Sequence, residues 1–91
     1  MRTIYKYELP MREEHGIALQ GEILTVAKKP NSSDDKWYVW AIHDDSNPKR
    51  IVKFTVVGTG NELPHYLDKS KYVGTIFEGY FVFHIFAEEQ R

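Results

Sequence analysis

Residues 72–87 read YVGTIFEGYFVFHIFA, two apolar runs on either side of Glu78-Gly79. Aromatic and β-branched residues suit the pleated, half-buried surface of a strand, and a two-residue break containing glycine is what joins the strands of a tight antiparallel hairpin. The stretch therefore predicts strands over Tyr72–Phe77 and Tyr80–Ala87 with a turn at Glu78-Gly79. Side chains alternate across a strand, so Phe81, Phe83 and Ile85 face one way and Tyr80, Val82, His84 and Phe86 the other. Both faces are largely apolar, and each needs cover.

Outward from this hairpin, four more segments carry the same signature. Thr3–Leu9 sets Tyr5, Tyr7 and Leu9 against Lys6 and Glu8 and is stopped by Pro10, which cannot donate to a ladder. Glu22–Lys28 sets Ile23, Thr25 and Ala27 against Leu24 and Val26. Lys36–His43 is again apolar on both faces, with Trp37, Val39 and Ala41 opposite Tyr38, Trp40 and Ile42; Val52–Val57 follows. Polar connections are expected at Met11–Gly16 and Lys29–Asp35, and a single helical turn capped by Asn61 within Asn61–Lys71. Parallel strands need crossover helices, and no long amphipathic pattern supplies them. The expected fold class is all-β, mainly antiparallel, with about six strands in a small sandwich or barrel.

Ninety-one residues suffice for a single domain, 1–91, that buries only about 60–65% of its unfolded surface. At 42% hydrophobic and 27% charged residues the chain is globular rather than disordered. Its lack of cysteine removes disulfides and thiolate metal sites as reinforcement, which leaves a homo-oligomer as the expected support for a thin core. No apolar run approaches the roughly 20 residues of a membrane helix, so no membrane partner is expected. Charges in the first six residues speak against a signal peptide and for a cytoplasmic product. A net charge of −1 argues against duplex nucleic acid as a partner, because that binding is driven by neutralising phosphates.

Few residues suggest chemistry. VGTG at 57–60 follows a strand as a phosphate loop would, but Asn61-Glu62-Leu63-Pro64 comes next, with an acid where the anion would sit and no lysine of the nucleotide-triphosphate kind. The segment reads as a strand-exit bend. Exposed amides of Thr59–Asn61 at the rim of a pocket are the other reading. YVGT at 72–75 echoes it, so the two Gly-Thr steps are expected as similar bends of one sheet, framing a shallow site if they meet. His43-Asp44-Asp45 offers two convergent metal ligands at most, because neighbours on a strand point apart, and an acidic turn explains it as well. His84 lies among apolar residues mid-strand, either as a hydrogen-bonded structural histidine or as a contact for a ligand. The richest surface is the segment joining the third and fourth strands, read as a hairpin, where Trp37, Tyr38 and Trp40 offer stacking planes and Lys49, Arg50 and Lys53 offer cations. No nucleophile, no singled-out carboxylate pair and no cofactor motif is present.

Ile4-Tyr5-Lys6-Tyr7-Glu8-Leu9-Pro10, Trp40, VGTG at 57–60, YVGT at 72–75 and FVFHIF at 81–86 together resemble a family of small uncharacterised bacteriophage and prophage proteins. The resemblance spans nearly the whole chain and rests chiefly on the VGTG and FVFHIF segments. That family often has a histidine after the second glycine; this chain has Asn61, which speaks against a catalytic or metal role there. What the resemblance implies is an accessory protein, not an enzyme, that interferes with a host component. It would block a host protein or sequester a small anionic, nucleotide-like ligand; the residues expected to do so, Trp37, Trp40, Lys49, Arg50, Lys53, Thr59, Asn61 and His84, come from the aromatic and basic segment beside the glycine turn and not from the resemblance. A structural or assembly component of the virion is the alternative.

Overall fold

A computed structural model describes residues 1–10, 14–28 and 36–90. The connection expected over Lys29–Asp35, and the start of that over Met11–Gly16, lie outside these residues. The described chain forms β1 (Arg2–Leu9), β2 (Glu14–Leu19), β3 (Ile23–Lys28), β4 (Trp37–Asp44), β5 (Arg50–Gly58), a 3-10 turn (His65–Lys69), β6 (Lys71–Glu78) and β7 (Phe81–Gln90). One sheet has the order β1-β4-β3 and the other β2-β5-β7-β6, all neighbours antiparallel. The all-β antiparallel sandwich is the expected class.

The core lies between the sheets. Trp37, Val39 and Ala41 of β4 meet Phe54 and Val52 of β5 and Ile85 of β7, all almost fully buried. These are the inward positions that the alternation of the two aromatic strands marks. Burying such side chains is the main favourable term in folding, about 1.5–3 kcal/mol each. The indole of Trp37 packs on Phe83 at 5.2 Å between ring centres and gives its N–H to Glu78 at 3.4 Å. Glu78 also takes Lys28 Nζ at 2.7 Å, so one carboxylate on β6 ties β3 and β4 of the opposite sheet to it. Close beside this clasp, a Cβ on Gly74 of β6 would lie 3.0 Å from Val26 Cγ2 of β3, which shows how tightly the two edge strands are stacked.

Four expectations are corrected. Glu14–Leu19 is a strand, not the tail of a polar loop: Ile17 and Leu19 point inward and pair with Val52 and Arg50, a two-residue alternation that Gly16 and the charged residues before it concealed. In β3 the register shifts between Ile23 and Thr25, so Ile23 and Val26 both face the core and the simple alternation fails. The turn of the last hairpin is Gly79-Tyr80, one residue later than expected, because Gly79 supplies φ +61 at its first position. The 3-10 turn starts after Pro64, with no side-chain cap from Asn61. Proline's fixed φ and missing N–H suit it to that position, so it sets the start of the turn.

The chain changes sheets at Gln20–Glu22, held by Asp44 N–H to Gln20 O at 3.0 Å and Ile42 N–H to Glu22 O at 2.8 Å. Arg50 Nη2 adds a 2.8 Å bond to Gly21 O. Between them Gly21 lies directly on the backbone of Ile42, where any Cβ would overlap the carbonyl oxygen. No helix among the described residues is long and apolar enough to cross a membrane.

Two predictions follow from these contacts. Gly21→Ala should lower stability by more than about 2 kcal/mol, because backbone must move, whereas Gly60→Ala, strained only by φ +91 in open space, should cost about 1–2 kcal/mol; urea midpoints compare them. The hydrogen bond from Lys28, foremost, and that from Trp37 hold the Glu78 carboxyl below its usual value of 4.5 against the opposing effect of desolvation. A depressed carboxyl stabilises the fold above its unfolded pKa and loses that contribution as pH falls through the folded one. Urea midpoints should therefore fall more steeply below pH 4.5 in the wild type than in Glu78→Gln.

Candidate functional site

The register of the four-stranded sheet decides which residues share its outer face. β7 is central, with β5 on one side and β6 on the other, pairing His84 with Val57 and with Thr75. One step beyond Val57, at the end of β5, Thr59 also reaches across. Its Oγ1 lies 2.8 Å from His84 Nε2, and Thr75 Oγ1 lies 3.1 Å from His84 Nδ1. Tyr72 OH bonds Thr75 Oγ1 in turn, and Thr59 Oγ1 donates to Val82 O at 3.2 Å. The result is a continuous chain, Tyr72–Thr75–His84–Thr59, lying across three strands.

A neutral imidazole has one N–H and one bare nitrogen, so one threonine donates to His84 while the other accepts. The chain therefore has a direction, fixed by the tautomer. The two Gly-Thr segments, VGTG and YVGT, do meet: each supplies the hydroxyl that holds one nitrogen of the same ring.

The Gly-Thr-Gly bend itself is a turn. Asn61 N–H bonds Gly58 O at 3.1 Å and Thr59 N–H bonds Val82 O at 2.9 Å, with Gly60 at φ +91 in the position where such a turn needs glycine. Two of the three amides that might have received an anion are spent inside the protein. Asn61 is exposed and folds its side-chain amide back over Gly58.

The other residues singled out from the sequence do not converge on this face. Trp37 is core, 1% exposed. Trp40 is half-buried on the outer face of the three-stranded sheet, where it packs on Tyr38, whose ring carries Lys6 Nζ at 4.7 Å. The expected hairpin between the third and fourth strands is corrected: β4 and β5 belong to different sheets, so their aromatics and cations part. Lys49 is exposed in the connection between them. Arg50 bonds Glu89 at 2.7 Å as well as Gly21 O. Lys53 does lie on the outer face of the four-stranded sheet, but 4.4 Å over the Tyr66 ring and between Glu14 at 3.6 Å and Glu88 at 4.0 Å.

His43 Nε2 gives its N–H to the Asp45 carboxylate at 2.7 Å, and the ring stacks on Tyr5 at 4.2 Å. Asp44, lowered in pKa by its bonds from the Ser46 hydroxyl and N–H, closes the turn that follows. Among the described residues no three potential metal ligands gather. A groove of about 830 Å³ opens where the bulged ends of β3 and β6 splay apart. Its lining is apolar at Ile23, Val52 and Ala87 and carries both signs, with Arg50 bonded to Glu89 and with Lys71 and Glu88 also present.

The residues that sequence reasoning missed belong to the last hairpin. Tyr72 and Thr75 complete the hydrogen-bond chain, and Phe77, Tyr80 and Phe81 expose large apolar surface at the turn end of the hairpin, Tyr80 without any cover and the two phenylalanines about two-thirds exposed. Neither β7's outer face nor the turn below it is bare: Phe86 meets Tyr72 edge-on at 5.9 Å, and Leu67 of the 3-10 turn is buried.

No curated protein and no solved structure matches the chain. A family profile matches it from residue 1 to residue 91, and on that match the chain belongs to the family described as a domain of unknown function, DUF7352.

Proposed function

We propose that the protein is an accessory binding protein that works without catalysis and engages a protein partner through the exposed aromatic end of the β6–β7 hairpin. The observation that carries this is the exposure of Phe77, Tyr80 and Phe81 at the turn end of the β6–β7 hairpin, Phe77 on its outer face, Phe81 on its inner face and Tyr80 in the turn between. Large apolar side chains are rarely left in a cluster on a surface unless they meet something, and Tyr and Phe are enriched at interface cores. The hydrogen-bond chain around His84 fixes the strands that present them.

The resemblance of the VGTG and FVFHIF segments to small phage and prophage proteins supports a phage origin, with a host protein in the host cytoplasm as the partner. Capture of a nucleotide-like anion has less support: Trp37 is core, Trp40 and Lys53 lie on the outer faces of different sheets, and Arg50 and Lys53 already face carboxylates.

Affinity capture from host lysate, repeated with a Tyr80→Ser, Phe81→Ser double variant, tests the reading. One defined protein should be retained by the wild type and lost by the variant, while both melt at the same temperature. Equal retention by both would remove the hairpin as the docking surface. Heat on titration with adenine or cyclic nucleotides, abolished in His84→Ala, would favour ligand capture, and recovery of the chain in purified particles would favour a virion role.

A further inference from the structure

Strand β6 lies at the edge of its sheet, and the backbone groups on its far side have no backbone partner among the described residues. The close approach of β3 is along the Cβ direction of Gly74, across the faces of the sheets rather than in the plane of the β6 ladder. An unprotected edge is a template for another strand. The sequence of this one, Lys71-Tyr72-Val73-Gly74-Thr75-Ile76-Phe77-Glu78, is nearly its own complement when reversed.

The bulge makes the match geometrically sound. The register of β6 shifts between Tyr72 and Gly74, so Val73 is the extra residue and the remaining positions pair about Thr75. Laid antiparallel on a second copy, Lys71 falls opposite Glu78, Tyr72 opposite Phe77, Gly74 opposite Ile76, and Thr75 opposite itself. Every pair shares a face: Tyr72, Thr75 and Phe77 are outward, and Gly74, Ile76 and Glu78 inward, as their partners on β7 show. Without the bulge, an eight-residue strand paired end to end would set each outward residue against an inward one. Opposite charges at both ends and an aromatic pair on each side are the cross-strand contacts that stabilise a sheet.

Of the other edge strands, β1 has the same length as β6 and matches itself less well, because Arg2 opposite Glu8 comes with exposed Ile4 opposite Lys6. We infer that the protein forms a twofold homodimer through β6 edges, joining two four-stranded sheets into one of eight strands. This pairing does not depend on the host-partner reading. It packs Tyr72 of each copy against Phe77 of the other and sets the two His84-centred chains side by side across the axis, so that of the exposed hairpin aromatics Tyr80 and Phe81 stay free at the outer corners.

The chain has no cysteine, so a single introduced thiol reports the geometry without ambiguity. Directly opposed residues of an antiparallel pair have Cα atoms about 4.5–5.5 Å apart, within the span of a disulfide. Thr75→Cys should cross-link to a covalent dimer under mild oxidation, and Tyr5→Cys on β1 and Tyr80→Cys at the turn should not. The wild type should sediment as a dimer at tens of micromolar, and Lys71→Glu, which sets two carboxylates opposite each other at both ends, should raise the dissociation constant at least tenfold. A monomer up to several hundred micromolar with Thr75→Cys uncross-linked would overturn the proposal, as would cross-linking of Tyr5→Cys in its place. Loss of partner capture in the hairpin-tip variant with the dimer intact would count against neither.

Discussion

Strand β7 is hydrogen-bonded on both sides and apolar on both faces, and the rest of the molecule is arranged to satisfy that. Its inward residues, Phe83, Ile85 and Ala87, are covered by the three-stranded sheet. Its outward residues have no second sheet. They are covered by short-range means: the 3-10 turn, the edge-on ring of Tyr72 against Phe86, and the threonines of both neighbouring strands on His84. A polar ring is tolerated at the centre of that face because each of its nitrogens has a hydroxyl within bonding distance, whereas an unpartnered one would carry a desolvation penalty of about 1–3 kcal/mol if fully buried.

The same constraint explains why the candidate site lies where it does. Hydroxyls delivered by two Gly-Thr steps need those strands to flank the histidine, and only a central strand has two neighbours. Glycine before each threonine serves different ends: Gly58 leaves room for the folded-back Asn61 side chain, and Gly74 leaves room for Val26. At the opposite end of β6, Glu78 joins the sheets through Lys28 and Trp37. One edge strand thus carries the inter-sheet clasp inward, the histidine contact outward and a free backbone edge sideways.

Much of this was legible in the residues, and the failures were physical. The alternation in β4 and β7 named the core from both sheets because those strands are regular and fully paired. Gly16 and a preceding run of charges hid β2, whose inward apolar residues are only Ile17 and Leu19 at its end. Bulges at Leu24 and Val73 shifted faces in a way that a strict two-residue period does not show. The hairpin turn had the largest consequence: with the turn at Glu78-Gly79, His84 falls opposite Val73, and moving it by one residue to Gly79-Tyr80 brings Thr75 opposite His84. The echo of VGTG and YVGT was visible in the sequence; its meeting at one histidine needed the register. The aromatic and basic cluster failed for a topological reason, since consecutive strands β4 and β5 lie in different sheets.

The state of the His84 ring tests the central claim most directly. Two-dimensional nitrogen–carbon NMR of the imidazole, with exposed His65 as the internal reference, reads the tautomer and the hydrogen bonds at both nitrogens. The account predicts a single fixed tautomer for His84, with one ring N–H held by one threonine and the hydroxyl proton of the other held on the bare nitrogen, both slow to exchange and both lost in Thr75→Val. A ring that averages its tautomers, with no protected threonine hydroxyl, would mean that the two Gly-Thr segments do not converge on it.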